Sequence, residues 1–269
     1  MSKDLFHRYI NSVKTELDRS KSEIISVILF GSLVNEPSKQ SSSTDVDLLV
    51  IVSDSCSKFD FKQIKQSLLK LENRFFYRFR KKESAFFSTG LQRATGMFIN
   101  IFTCRFSDFK KRKFNRVFNV NPIVGTLLAP QNSVWISLFK KHKIIYGRNV
   151  FQNWKTVPKI SSSDLIKSFI MNSLLALGAL VFFPIHKQVI KFSMEAMKWS
   201  LFTWSNFNNL PVMPLEQIIV LFIRDSSLIE NRAIHDFMLY REKKSVKNYL
   251  PVLSLLFVLK MHVSIFRNF

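Results

Sequence analysis

Two aspartates, Asp45 and Asp47, open the run Asp45-Val46-Asp47-Leu48-Leu49-Val50-Ile51-Val52. On an extended strand, residues i and i+2 leave the same face. The two carboxylates are therefore held together with Cα atoms roughly 6.5 Å apart, while Val46 turns the other way into a core. Oxygens converging from that distance suit Mg²⁺, which binds through one or two carboxylates together with phosphate oxygens. Paired ions held in this way stabilise both the attacking and the leaving oxygen of a phosphoryl or nucleotidyl transfer. Upstream, Gly31-Ser32 follows the apolar run 24–30. Glycine allows a tight turn and a close approach of backbone to phosphate. A serine at the start of a following helix offers a hydroxyl and free N–H groups to an anion.

The elements that must position these residues are also legible. Residues 24–30, Ile-Ile-Ser-Val-Ile-Leu-Phe, are apolar and rich in β-branched side chains, which predicts a buried strand. Residues 45–52 form a second strand, and the Ser-rich stretch 35–44 with Pro37 forms the loop between them. Leu5, Tyr9, Ile10, Val13 and Leu17 recur at helical spacing, so an amphipathic helix precedes the first strand. Ile64, Leu68, Leu71 and Phe75 mark another helix over about residues 59–73. Residues 84–88 and 97–104 read as further strands. Helices alternating with strands predict an α/β (α+β) sheet with helices packed on it.

The succession Phe30-Gly31-Ser32, a loop, and Asp45-Val46-Asp47-Leu48 between two apolar strands resembles the DNA polymerase β-like nucleotidyltransferase superfamily. Its pattern is hydrophobic-Gly-[Gly/Ser], then [Asp/Glu]-hydrophobic-[Asp/Glu]-hydrophobic. The resemblance rests on residues 24–52 and extends toward Gly147. The helical second half is similar in general architecture to kanamycin-type and minimal nucleotidyltransferases. The resemblance implies a mixed sheet with flanking helices over residues 1–150, followed by an all-helical bundle over 160–269. It implies a metal-dependent enzyme that moves a nucleoside monophosphate from a nucleoside triphosphate, ATP by preference, to an acceptor hydroxyl. Gly31 and Ser32 would contact the triphosphate, and Asp45 and Asp47 would bind Mg²⁺ in a two-metal site. Positioning and charge neutralisation would supply most of the rate.

The family usually places a third carboxylate on a later strand. The run 97–104 offers Asn100 at that third catalytic position, and an amide is a weaker metal ligand and no base. Asp108, the next carboxylate, is expected to lie beyond the strand. A second reading follows from this departure: a catalytically impaired module that keeps the fold and binds nucleotide or nucleic acid through a basic surface.

The chain holds 40 Lys and Arg against 19 Asp and Glu, a formal net charge of +21. Such a surface attracts polyanions: nucleotides, RNA, DNA or an acidic membrane face. Basic clusters stand at Arg78/Arg80/Lys81/Lys82, at Lys110/Lys111/Arg112/Lys113 with Arg116, and at Lys140/Lys141/Lys143. The acceptor itself, whether small molecule, protein or RNA, is not encoded in any motif. With 47% hydrophobic residues and only 6 glycines, the chain has ample core and no disordered composition. Cys56 and Cys104 stand in no CxxC frame, so neither a disulfide scaffold nor a zinc site is expected. Together with the charged start Met1-Ser2-Lys3-Asp4, they predict a cytoplasmic protein.

The longest uncharged run, 168–185, contains Asn172, Ser173, Gly178 and Pro184. It reads as a buried core helix, and a membrane is not an expected partner. The Ser-rich linker before it ends at Ser163, which is read as the cap of that helix. Val189, Phe192, Ala196, Met197, Leu201 and Trp204 mark the next helix, and 215–224, 228–241 and 245–266 three more, with Pro251 delaying the last.

Overall fold

A computed structural model of the protein describes residues 3–20, 23–34, 46–80, 100–154, 156–211, 213–224, 228–243 and 247–267. The elements are α1 (Lys3–Arg19), β1 (Ile24–Phe30), a 3-10 turn (Gly31–Val34), β2 (Asp47–Val52), α2 (Lys58–Arg80) and β3 (Ile101–Arg105). Four short helices follow: α3 (Phe106–Lys110), α4 (Phe114–Val117), α5 (Pro122–Leu127) and α6 (Gln131–Lys140). Next come β4 (His142–Gly147), α7 (Ser162–Phe182), α8 (Ile190–Phe207), α9 (Leu215–Ile223), α10 (Leu228–Lys243) and α11 (Leu250–Arg267). The chain divides into two compact units, Met1–Thr126 with Ile136–Val157, and Leu127–Trp135 with Pro158–Phe269. The division falls inside α6.

Among the described residues the first unit is built on a four-stranded mixed sheet of order β3-β2-β1-β4. β1 runs antiparallel to both β2 and β4, and β2 runs parallel to β3. The amphipathic stripe of α1 (Phe6, Tyr9, Val13, Leu17) and that of α2 (Ile64, Leu68) cover one face. There they bury Val27 and Leu29 of β1 together with Leu48, Val50 and Val52 of β2. Val46 joins this core with no exposed surface. The other face carries aromatic rings: Phe102 lies 6.0 Å from Phe30 and 5.5 Å from Phe118, centroid to centroid. Both faces are therefore covered, which is why the strands are apolar without alternation.

Several boundaries differ from those the sequence predicts. α2 continues to Arg80, beyond residue 73, because no Gly or Pro interrupts it and Phe75 still packs on Tyr9 at 5.3 Å. β3 starts at Ile101 with Asn100 immediately before it; residues 97–99 and the expected strand 84–88 lie outside the described residues. Residues 142–147, which carry no strand signal by alternation, form edge strand β4 by pairing with β1. At its end Gly147 takes φ +74°, and a Cβ there would run into the carbonyl oxygen of Ile25.

In the second unit α7 is capped by Ser161, not Ser163. Ser161 Oγ accepts from Asp164 N at 3.2 Å, and Ser161 N donates back to Asp164 Oδ2 at 3.1 Å, a closed capping box. Asp164 is buried, which a Ser163 cap would not use. Its carboxylate also accepts from Asn132 N at 3.1 Å and Asn132 Nδ2 at 2.8 Å. The uncharged run 168–185 does form a helix for most of its length, but only one face of that helix (Ser168, Asn172, Leu175, Ala176, Ala179) and Phe183 just past it are buried. Pro251 sits in the first turn of α11, where its missing N–H costs nothing.

Polar side chains meet inside this bundle. Asn172 Nδ2 donates to Ser168 Oγ at 3.2 Å, Ser168 Oγ lies 2.7 Å from Thr203 Oγ1, and His262 Nε2 lies 3.4 Å from Ser168 Oγ. His262 Nδ1 lies 2.9 Å from the Val258 carbonyl oxygen, which can only accept, so Nδ1 carries the proton. Burial pulls His262 down to about 4 from 6.5, against the smaller opposing effect of the Val258 carbonyl.

Two outcomes follow. Ser161→Ala should cost about 1 kcal/mol in a denaturant titration, with Ser163→Ala nearly neutral. His262 is held neutral in the folded chain, whereas the unfolded chain takes up its proton near 6.5. Its contribution is thus complete above pH 6.5 and is lost as the pH falls toward 4, on the order of 3 kcal/mol across that window. Unfolding midpoints at pH 7 and pH 5 should differ more for the wild type than for His262→Gln.

Candidate active site

The candidate site begins where β1 leaves the sheet. Phe30, its last residue, pairs with Asp47, the first residue of β2. Gly31 then takes φ +79°, a left-handed conformation that a side chain disfavours. A Cβ at Gly31 would collide with Asp47 Oδ2 and come within 3.2 Å of Asp47 Cγ. The half-exposed carboxylate of Asp47 therefore lies directly against the glycine turn. Beyond it Leu33, 2% exposed, pins the 3-10 turn into the core beneath α1 and α2. Ser32 stands between these two fixed points, second in the turn. Asp45 lies outside the described residues.

The other side of Asp47 is β3. Leu48 N donates to the Asn100 carbonyl oxygen at 2.7 Å, and Leu48 pairs with Ile101, so Asn100 is the neighbour of Asp47 across the parallel ladder. Leu48 and Ile101 both enter the α1/α2 core, and strand alternation puts Asp47 and Asn100 on the opposite face. Asn100 is 5% exposed. The structure thus brings together Gly31, Asp47 and Asn100, and it sets Asn100 beside Asp47. Asp47 and Asn100 each carry a side-chain oxygen, the donor type that Mg²⁺ takes. Among the described residues no group of three or more His, Cys, Asp or Glu could hold a metal ion.

The same row extends to a residue the sequence does not mark. Phe30 also pairs with His142 at the start of β4. His142 Nδ1 donates to the Phe139 carbonyl at 2.9 Å, and its ring lies 4.0 Å from that of Phe151. Only the pairing of β1 with β4 places it there, and no local signal could have found it.

Asp108 sits elsewhere. It is buried in α3, past the far end of β3, with Lys113 Nζ at 3.2 Å and Arg116 Nη1 at 3.4 Å. Arg112 stacks on Trp154, its guanidinium carbon 4.2 Å from the ring centroid, and donates to the Thr156 carbonyl at 2.9 Å. Three cations of the 110–116 cluster thus have structural partners within the first unit. Lys81 and Lys82 of the earlier cluster lie outside the described residues.

A mixed sheet in which a glycine turn and a strand-opening aspartate meet, joined in the chain to a helical unit, is the architecture that the sequence resemblance to polymerase β-like nucleotidyltransferases implies. No protein-family model matches the chain, and no curated protein matches it. Among solved structures the chain is similar to spectinomycin adenyltransferase AAD(9) from Enterococcus faecialis, crystallised with ATP and spectinomycin. The TM-score is 0.57 at 13% identity, covering 96% of this chain and 98% of that one. At that identity the likeness is one of fold.

Gly31→Ala tests the geometry directly. The new Cβ should force the Asp47 carboxylate aside and strain the turn, costing about 1–2 kcal/mol by chemical denaturation. A substitution of equal size on an exposed helix surface should change stability by less than about 0.5 kcal/mol.

Proposed function

We propose that this chain is a Mg²⁺-dependent nucleotidyltransferase that moves a nucleoside monophosphate, AMP by preference, from a triphosphate to a hydroxyl of a small acceptor. The observation that carries the reading is the Asp47 carboxylate folded against the Gly31 turn, with Asn100 alongside. The fold it shares with an adenyltransferase crystallised with ATP and spectinomycin supports ATP as donor and a small hydroxylated molecule as acceptor. The buried thiols of Cys56 and Cys104 are consistent with a reducing, cytoplasmic setting.

In this reading the acceptor oxygen attacks the α-phosphorus, its bond to the bridging oxygen of the β-phosphate breaks, and pyrophosphate leaves. Asp45 and Asp47 would hold Mg²⁺, which would supply positive charge to neutralise the phosphate oxygens around the reacting phosphorus. Gly31, lacking a Cβ, lets the triphosphate approach the backbone, and Ser32 binds it from the same turn. Asn100 would orient the acceptor through its amide but takes up no proton, so the acceptor proton passes to water rather than to a carboxylate at that position.

The test is incubation with Mg²⁺, labelled nucleoside triphosphates and a panel of hydroxylated small molecules that includes spectinomycin. Label should move to an acceptor with Mg²⁺ present and not after chelation. Asp45→Asn and Asp47→Asn should each lower the rate by at least about 10²-fold. Asn100→Asp, which supplies a third carboxylate beside Asp47, should lower the Mg²⁺ concentration needed for half-maximal rate. Transfer that survives in both aspartate variants defeats the reading.

A further inference from the structure

The second unit presents an apolar surface that its own packing leaves uncovered. On α7, Ile166, Ile170, Leu174, Leu177 and Val181 are all exposed and follow one another at intervals of three and four, so they form a single outward stripe. On α11, Val252, Leu256, Leu259, Val263 and Phe266 do the same. The helices are neighbours: Phe169 of α7 lies 5.4 Å from the His262 ring and 6.0 Å from that of Phe266. Phe169 precedes Ile170 of the first stripe, and Phe266 belongs to the second, so apolar surface continues across the seam. An exposed patch of this extent marks an interaction site.

Its chemistry selects the occupant. Neither stripe has an exposed carboxylate: the one acid of α7 is the buried capping residue Asp164, and α11 has none. The charges that border the stripes are positive, Lys167 on α7 and Lys260 and Arg267 on α11. Across residues 158–269 there are 13 Lys and Arg against seven Asp and Glu, and the whole chain carries +21. A second copy would set those cations against each other. The stripes are aliphatic apart from Phe266 and hold no Trp or Tyr, the anchors that protein interfaces favour. α7 and α11 are also long and apolar enough to cross a membrane, yet the inner face of each is buried against the bundle, with Ser168, Asn172 and His262 in mutual contact. That excludes insertion as separate spans without unpacking the unit.

We propose that the outer faces of α7 and α11 dock on an anionic phospholipid surface. The aliphatic stripes sit in the acyl–headgroup boundary, and Lys167, Lys260 and Arg267 lie against the phosphates. The proposal is independent of the transferase reading.

The full chain is tested by flotation with vesicles of phosphatidylcholine alone and of phosphatidylcholine mixed with phosphatidylglycerol, with its mass in solution measured in parallel. The expected result is a monomer that partitions at least about tenfold more strongly onto the phosphatidylglycerol vesicles. Leu174→Glu with Leu256→Glu should lose about tenfold or more of that binding while keeping the wild-type circular dichroism. Leu177→Glu with Val263→Glu should reproduce the loss. Phe59→Glu, at an exposed phenylalanine of the first unit, should bind as the wild type does. Absence of enrichment on anionic vesicles overturns the proposal, as does binding unchanged in both stripe variants. A wild-type dimer that the stripe variants dissociate would also overturn it, by assigning the surface to a second copy.

Discussion

The geometry of the candidate site depends on one close approach, that of the Asp47 carboxylate to the Cα of Gly31. It arises because the last pair of the β1–β2 ladder is Phe30 with Asp47, so the chain that turns at Gly31 turns directly beside the aspartate. Glycine is required twice over, for its positive φ and for the space its missing side chain leaves. A carboxylate in that space adjoins a backbone turn that phosphate can reach closely. Around this contact the sheet is heavily anchored: Leu29, Leu48 and Val50 are buried under α1 and α2, and Leu33 fastens the turn from the far side. Packing on both faces holds the register, since a slip of one residue would carry Asp47 into the apolar core.

Charge is used differently in different parts of the first unit. Asp47 stands at a strand opening, half-exposed, with a neutral amide as its neighbour in β3. Asp108, the carboxylate that sequence proximity offers as a third ligand, is instead paired with Lys113 and Arg116. This also accounts for part of the basic run 110–116. A run of cations reads as a polyanion surface in sequence, but here Lys113, Arg116 and Arg112 secure α3, α4 and the Trp154 segment. The reading of the chain as a nucleic-acid-binding module gains nothing from that cluster.

The helical unit departs from the usual amphipathic plan on its outer side. α7 and α11 set Ser168, Asn172 and His262 among the apolar residues of their buried faces, and they also turn aliphatic side chains outward. Buried hydroxyl and amide groups that are mutually satisfied specify how helices pack. The outward stripes contribute nothing to that packing, so their composition is explained by what lies outside the unit rather than by its core.

Local sequence by itself determined the strand-turn-strand unit of the candidate site. Ile24 to Phe30 are too apolar and β-branched for anything but a buried strand, Gly31 is one of only 6 glycines, and Asp47 heads the next apolar run, while Asp45 lies outside the described residues. The helices α1 and α8 to α11 were legible for the same reason, because a 3.6-residue period is a local signal. What only the tertiary structure decided depends on partners distant in sequence. Asn100 becomes the neighbour of Asp47 only through the β2–β3 ladder, and residues 142–147 become a strand only because β1 offers an edge. Ser161 rather than Ser163 caps α7 because Asp164 is drawn into the interior by Asn132. The run 168–185, uncharged throughout, looks the same in sequence whether one face or all of it is buried. Hydrophobicity reports the tendency to leave water, and only the placement of neighbouring helices decides which face does so.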